Sequence, residues 1–246
     1  MLSYALAHGI DTIDTAALYV QGESERILGR LLKGRRESVK LCTKGGYYSS
    51  NSLIENCEAS LRRLGVDYID IFYVHKFHGD FLSVGDALTR LHYQGKIKAA
   101  GLSNYAAWQV QEQLNWTGSG VISALQCMYS PIKRQAEAEL LPLARFKRYD
   151  VYTYSPLASG LLIKDMPSRM RIDGRYVARY RDDPMAAIEY RAAADATCGR
   201  VRLALAWIAE NPAVTAPIVG PSTMSQLADC LSARSVRLSS ELRQRI

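Results

Sequence analysis

Seven short apolar runs, six of them closing on or beside a polar residue and most followed by a helix-like stretch, restrict the fold of this chain more than any other feature. The runs end near positions 14, 44, 75, 103, 126, 154 and 219, at intervals of 30, 31, 28, 23, 28 and 65 residues. About 30 residues is the length of one strand–helix unit. The strands read as Ile10–Asp14, Val39–Lys44, Ile69–His75, Ile97–Leu102, Val121–Gln126, Val151–Tyr154 and Thr215–Val219. They are rich in β-branched residues and apolar on both faces, the pattern of a parallel sheet covered on two sides.

Between them, helical spacing predicts helices over Ser24–Lys33 (with Ile27, Leu28, Leu31 and Leu32 as its apolar face), Asn51–Leu64, Asp86–Gln94, Ala106–Leu114, Glu137–Phe146, Ala186–Glu210 and Met224–Leu231. Gly95 is a fitting C-cap for the third of these. Polar residues mark successive strand ends rather than a single crevice, which favours a (β/α)8 (TIM) barrel over a doubly wound sheet. Residues 1–246 read as one barrel domain. The chain opens on a helix, Leu2–His8, with no strand before it, so the first strand–helix unit is expected to be cut short and the barrel incomplete. The last interval leaves room for an inserted loop around Leu162–Pro184.

In a parallel barrel the C-terminal strand ends share one mouth, where catalytic groups collect. Asp14, Tyr19, Lys44 and His75 fall at or just after three such ends. A phenol ordinarily holds its proton too tightly for efficient acid–base work near neutrality. An adjacent ammonium stabilises the phenolate, so Lys44 is the natural partner of Tyr19, with Asp14 holding Lys44 in place. His75 is placed to hydrogen-bond a carbonyl oxygen. Reduction of an aldehyde or ketone needs such a proton donor and positioning groups beside a hydride source.

Composition narrows the setting. The chain is 48% hydrophobic and 22% charged, with no apolar run long enough to span a bilayer and no secretory leader pattern, so the cytoplasm is expected. Five cysteines without metal-motif spacing read as free thiols in a reducing compartment. His75 and His78 lack a third ligand, and no metal is expected. The net charge of +7 favours anionic ligands such as phosphorylated cofactors. Arginines gather in Arg169–Arg181 with Tyr176 and Tyr180, but Asp165, Asp173, Asp182 and Asp183 dilute them, which reads as a solvated loop rather than a nucleic-acid surface.

Several segments in order carry a resemblance. They are Ile13-Asp14-Thr15-Ala16-Ala17-Leu18-Tyr19, then Gly22-Glu23-Ser24-Glu25 and Leu28-Gly29, Thr43-Lys44, and Asp67-Tyr68-Ile69-Asp70 with His75. Gly101-Leu102-Ser103-Asn104, Gln126 with Tyr129-Ser130, and Tyr154-Ser155-Pro156-Leu157 follow. Together they resemble the aldo-keto reductase superfamily, in its bacterial, fungal and channel-β-subunit-like branches. The resemblance implies an NADP(H)-dependent (β/α)8 oxidoreductase interconverting a carbonyl compound and an alcohol, with Asp14, Tyr19, Lys44 and His75 as catalytic tetrad and Tyr19 as proton donor. It implies that Ser103, Asn104 and Gln126 hydrogen-bond the nicotinamide carboxamide and that Tyr154 stacks on the ring. By the same resemblance Ser155, Leu157, Ser159 and Gly160 would approach the pyrophosphate, and Gly220, Ser222, Gln226 and Asp229 would lie at the adenosine end. No basic residue stands at Gly220, Ser222 or Gln226, which leaves NAD(H) open beside NADP(H), with Arg200 or Arg202 as substitutes for the missing cation. The expected partner is a small carbonyl or alcohol substrate, with neither nucleic acid nor membrane. The rival reading is a catalytically impaired nucleotide-binding or regulatory relative, since the fold alone does not settle function.

Overall fold

A computed structural model describes residues 1–46, 53–163 and 184–246, without the side chains of 184–186, 244 and 245. The expected loop Leu162–Pro184, apart from its two ends, and the arginine cluster lie outside the described residues, as do the first residues of the helix expected from Asn51. The chain divides into two compact units. An N-terminal unit comprises Leu2–Gln126 with Phe146–Asp150, and a C-terminal unit comprises Cys127–Arg145 with Val151–Ile246 and Met1.

The N-terminal unit carries α1 (Leu2–Ala7), β1 (Thr12–Asp14), α2 (Glu23–Leu32), β2 (Lys40–Gly45), α3 (Leu53–Leu64), β3 (Ile69–Val74), α4 (Phe81–Tyr93), β4 (Ile97–Ser103), α5 (Ala107–Asn115) and most of β5 (Ile122–Met128). Its strands pair in sequence order, and every pairing is parallel. Five of the six residues of β3 are buried, as a strand covered on both faces requires. Leu53, Cys57 and Leu64 of α3 and Val84, Leu88 and Leu91 of α4 are buried as well. Burial holds Cys57 and Cys127 protonated by pushing their thiols up to about 12, and it raises Cys42 as well. All five cysteines are free.

Two sequence expectations are corrected in this unit. The inward face of α2 is Glu25, Leu28 and Leu32, while Ile27 and Leu31 are about half exposed. A carboxylate therefore occupies a core position where apolar periodicity placed isoleucine. The helix expected from Asp86 begins at Phe81, because Asp80 caps it by accepting from the Ser83 N–H at 2.9 Å. At its other end Gly95 takes φ 71 and donates to the His92 carbonyl at 2.9 Å, as its C-cap role requires.

The C-terminal unit holds α6 (Leu140–Lys147, in its first six residues), β6 (Asp150–Tyr154, from Val151 on), α7 (Pro184–Asp195), α8 (Arg200–Ala209), β7 (Ala216–Pro217), α9 (Met224–Ser232) and α10 (Ser240–Arg245). β6 and β7 pair in parallel, Tyr152 facing Ala216 and Thr153 facing Pro217. The strand expected over Thr215–Val219 is two residues long; Pro217 has no N–H for a ladder. The single helix expected over Ala186–Glu210 is two. Gly199, at φ 92, donates to the Ala194 carbonyl at 2.9 Å, which closes α7 and releases the chain into α8. Ala158, Leu162, Ala187, Tyr190, Ala194, Leu203 and Ala204 form the core of this unit. Among the described residues no helix is long and apolar enough to cross a membrane.

Candidate active site

Beyond β1 the N-terminal unit's main chain stays bonded to β2: Thr15 N–H reaches the Cys42 carbonyl at 2.9 Å and Ala17 N–H the Lys44 carbonyl at 3.0 Å. This extension carries Tyr19 onto the end of β2. Lys44 is almost wholly buried, at 1% exposure, where a bare ammonium would be costly. Its Nζ donates to Asp14 Oδ2 and to the Thr15 carbonyl, the latter at 2.8 Å. The same ammonium lies 5.1 Å from the centre of the Tyr19 ring. Tyr19 is 42% exposed, so its phenol is open to a ligand.

His75 follows β3 and is fixed by its main chain, its N–H bonding the Gly45 carbonyl at 2.8 Å. Its ring meets that of Tyr19 edge-on, with centroids 6.2 Å apart. Burial, reinforced by the Lys44 charge, brings the imidazole down to about 4. At neutral pH His75 is therefore an uncharged hydrogen-bonding group. His78 points elsewhere, donating from Nε2 to the Gly46 carbonyl. No cluster of three metal-ligating side chains occurs among the described residues.

The three residues expected at the nicotinamide carboxamide also lie in this unit. Gln126, on β5, donates from Nε2 to Asp14 Oδ1 at 3.0 Å, so it braces the carboxylate that holds Lys44. Asn104, left-handed at φ 61, donates to the His75 carbonyl and to Ser103 Oγ, each at 3.0 Å. Ser103 and Gln126 are buried. The structure thus brings Asp14, Tyr19, Lys44 and His75, with Ser103, Asn104 and Gln126, into one connected group. Sequence reasoning missed Thr15, whose contribution is a main-chain carbonyl that no side-chain pattern signals.

The residues expected at the nucleotide in the C-terminal unit form a different kind of place. Tyr154 ends β6, and the turn after it holds Ser155 at φ 55, Ala158 at φ 49, Ser159 at φ 55 and Gly160 at φ 94, with Leu157 between. Within it the N–H groups of Ala158, Gly160 and Leu161 donate to the Ser155, Leu157 and Ala158 carbonyls at 2.9, 2.9 and 3.1 Å. Clustered non-glycine residues in this region are strained, a recurrent property of ligand-binding turns. Gly220 has open space where a side chain would stand. Thr223 caps α9 by accepting from the Gln226 N–H at 3.2 Å, while Gln226 Oε1 accepts from the Ser222 N–H at 2.7 Å. Asp229 accepts from Arg202 Nε at 2.9 Å. Arg200 is clamped on Asp195 through two contacts of 2.7 and 2.6 Å and donates to the Ile163 carbonyl at 3.0 Å. Of the two arginines considered for the adenosine end, Arg202 lies beside Asp229 of that segment.

Known proteins match these features. The model of the aldo/keto reductase family covers residues 1–246. The NADH-specific methylglyoxal reductase of Escherichia coli is 32% identical over 266 aligned positions, covering 94% of this chain and 80% of that protein. Aflatoxin B1 aldehyde reductase member 2 of the rat is 38% identical over 170 residues, 64% of this chain but only 46% of the rat protein's length. An aldo-keto reductase from Bacillus halodurans, in its holo form, superposes with a TM-score of 0.83 at 26% identity, over 99% of this chain and 84% of that one. An aldo/keto reductase from Klebsiella pneumoniae in complex with NADP and acetate gives 0.80 at 28% identity, over 99% and 82%. The fold class is that of the (β/α)8 barrel, with seven strands present among the described residues. Since the family's model runs the full length of the sequence, the chain belongs to the aldo/keto reductase family.

Proposed function

We propose that this chain reduces a small aldehyde or ketone to an alcohol, or runs the reverse reaction, with Tyr19 as the proton donor. The observation that carries the reading is the buried Lys44 ammonium, pinned by Asp14 and the Thr15 carbonyl and lying under the half-exposed Tyr19 ring. A bound nicotinamide cofactor supplies or accepts the hydride. Tyr19 gives its hydroxyl proton to the carbonyl oxygen, and the phenolate left behind is stabilised by Lys44. Asp14, braced by Gln126, keeps that ammonium from swinging away. His75, uncharged at neutral pH, offers a hydrogen bond that orients the carbonyl rather than a competing acid.

NADP(H) is the favoured cofactor, with NAD(H) as alternative. By the family resemblance the pyrophosphate runs past the turn Ser155–Gly160, where Gly160, at φ 94, lets a ligand come close to the main chain. The Klebsiella neighbour holds NADP, while the Escherichia coli relative is named as NADH-specific. Reduction of carbonyls such as methylglyoxal by relatives supports the substrate class.

The test is Tyr19→Phe. Carbonyl reduction should fall by ~100- to 10,000-fold, the usual contribution of general acid catalysis, with cofactor affinity retained. Turnover within a factor of two of the parent protein would remove Tyr19 from the donor role. A chain that binds both nucleotides tightly but reduces none of a panel of aldehydes and ketones would instead support a regulatory role.

A further inference from the structure

The segment that displays Tyr19 is backed by a buried charge cluster. Glu25 has 0% exposure and lies on the core side of α2, three residues before Leu28 and seven before Leu32. Its Oε2 accepts from Arg63 Nε of α3 at 2.6 Å, and its Oε1 accepts from Thr43 Oγ1 at 2.6 Å. Arg63 also donates to buried Ser60 at 3.1 Å. Thr43 immediately precedes Lys44 on β2, so the two side chains leave opposite faces of the strand. One carboxylate therefore grips, from behind, the strand that carries the ammonium.

The guanidinium grips the other partner. Arg63 lies across Gly22, where a Cβ would stand 2.7 Å from its Cδ and 2.8 Å from its Nε. Gly22 closes the turn that begins at Tyr19, and that turn is strained: Val20 is at φ 49, Gln21 at φ 54 and Gly22 at φ 85. A β-branched residue in the left-handed region is a genuine outlier. Such conformations persist only where the surroundings over-determine them. Here the surroundings are the Arg63 side chain and the Thr15–Ser24 hydroxyl contact of 2.8 Å that closes the loop. A buried ion pair is weak evidence for stability, because desolvation offsets its attraction, so a stabilising role alone does not account for it.

We propose that Glu25 and Arg63, with Thr43, are positioning residues for proton transfer: together they set the separation between the Tyr19 turn and the Lys44 strand. The inference rests on Tyr19 being the proton donor. Without the pair, α2 keeps its apolar contacts and its close approach to α3, where Gly29 faces the Leu64 carbonyl, but the Tyr19 turn is free to relax.

The experiment uses the full chain with NADPH and methylglyoxal, comparing Glu25→Gln, Thr43→Val, Arg63→Lys and Arg63→Met with Tyr19→Phe as benchmark. Glu25→Gln should lower kcat at least ~10-fold while leaving the NADPH Kd within a factor of two, and the primary deuterium isotope effect should rise as chemistry becomes limiting. Arg63→Lys should retain more of kcat than Arg63→Met. A readout independent of turnover is the 13Cζ resonance of Tyr19 in the protein without cofactor, assigned by its loss in Tyr19→Phe. It should move in Glu25→Gln and Thr43→Val while that of exposed Tyr93 stays. Should Glu25→Gln fail to give a cooperative melt, Thr43→Val and Arg63→Lys decide the matter by the same readouts. An unmoved Tyr19 resonance, or kcat within a factor of two in the folded variants, overturns the proposal. Full activity in Tyr19→Phe with a moved resonance in Glu25→Gln would overturn the donor reading and leave the clamp standing.

Discussion

The two units keep their candidate functional residues in opposite ways. In the N-terminal unit the chemistry-bearing side chains are interlocked: Gln126 holds Asp14, Asp14 holds Lys44, and the Thr15 carbonyl takes a second ammonium hydrogen. In the C-terminal unit the side chains expected at the adenosine end are exposed or part-exposed, Gln226 accepting from the Ser222 N–H and Asp229 from Arg202. What is distinctive there is backbone, the left-handed turn from Ser155 to Gly160. Proton transfer needs atoms fixed to within fractions of an ångström, which buried and mutually bonded groups provide. Holding a long anion needs donors spread along a path, to which a part-exposed arginine such as Arg202 can contribute.

Removing the ammonium should break the first arrangement most severely. Lys44→Met takes away the charge that stabilises the Tyr19 phenolate, so kcat should fall by ~100- to 10,000-fold, as in Tyr19→Phe. Because the two residues act as one unit, Lys44→Met/Tyr19→Phe should lose little more than either alone. Lys44→Met also leaves Asp14, whose side chain is only 12% exposed, without its cation, and such a change typically costs ~3–5 kcal/mol. Asp14→Asn in the Lys44→Met background should recover part of the melting temperature but none of the activity. Strictly additive losses in kcat would mean the two groups work separately.

A pH experiment sharpens the same picture. The folded protein holds His75 near 4, below the ordinary 6.5, through burial and then the Lys44 charge. The unfolded chain takes up that proton as pH falls below about 6.5, whereas the folded chain resists it until about 4. The resulting stability is fully present above pH 6.5 and is lost as pH falls through that window, to a limit of the order of 3 kcal/mol. Urea unfolding at pH 7 and pH 4.5 should show this decline, and His75→Gln should shrink it. An equal decline in both proteins would assign the acid sensitivity to carboxylates instead.

Legibility in the sequence follows the same division. Asp14, Tyr19, Lys44 and His75 were readable because each sits at or just past an apolar run whose end is fixed by the strand pattern. The α2 face was misread because Ile27 and Leu31 match helical spacing as well as Leu28 and Leu32 do, and only the charged partner Arg63 explains a carboxylate at Glu25. One signal was available: Glu25, Leu28 and Leu32 share a helical face, so the carboxylate falls in the apolar stripe. The broken helix at Gly199 and the turn at Ser155–Gly160 depend on dihedral angles, which neither composition nor periodicity encodes. The bonds from Gln126 to Asp14 and from Arg202 to Asp229 depend on side chains far apart in sequence meeting in space.

The smallest expected effect tests the C-terminal unit. Arg202 and Asp229 are paired at 2.9 Å with side chains 46% and 39% exposed. A surface pair of this kind contributes ~0–1 kcal/mol to stability, so neither Asp229→Asn nor Arg202→Ala should move the melting temperature by more than a few degrees. Ligand affinity is the sensitive quantity if the segment Ile218–Asp229 receives the adenosine end. Asp229 occupies the guanidinium and opposes a second negative charge, whereas an Arg freed from its acid suits a phosphate monoester. Asp229→Asn should therefore tighten NADPH by ~3- to 10-fold with NADH changed less than two-fold, and Arg202→Ala should weaken NADPH alone. The selectivity should diminish in 0.5 M salt, where exposed charges are screened within a few ångströms. Equal shifts for both nucleotides in titrations of intrinsic fluorescence would place the pair away from the ribose 2′ position, and NADP(H) preference would then have to come from other residues.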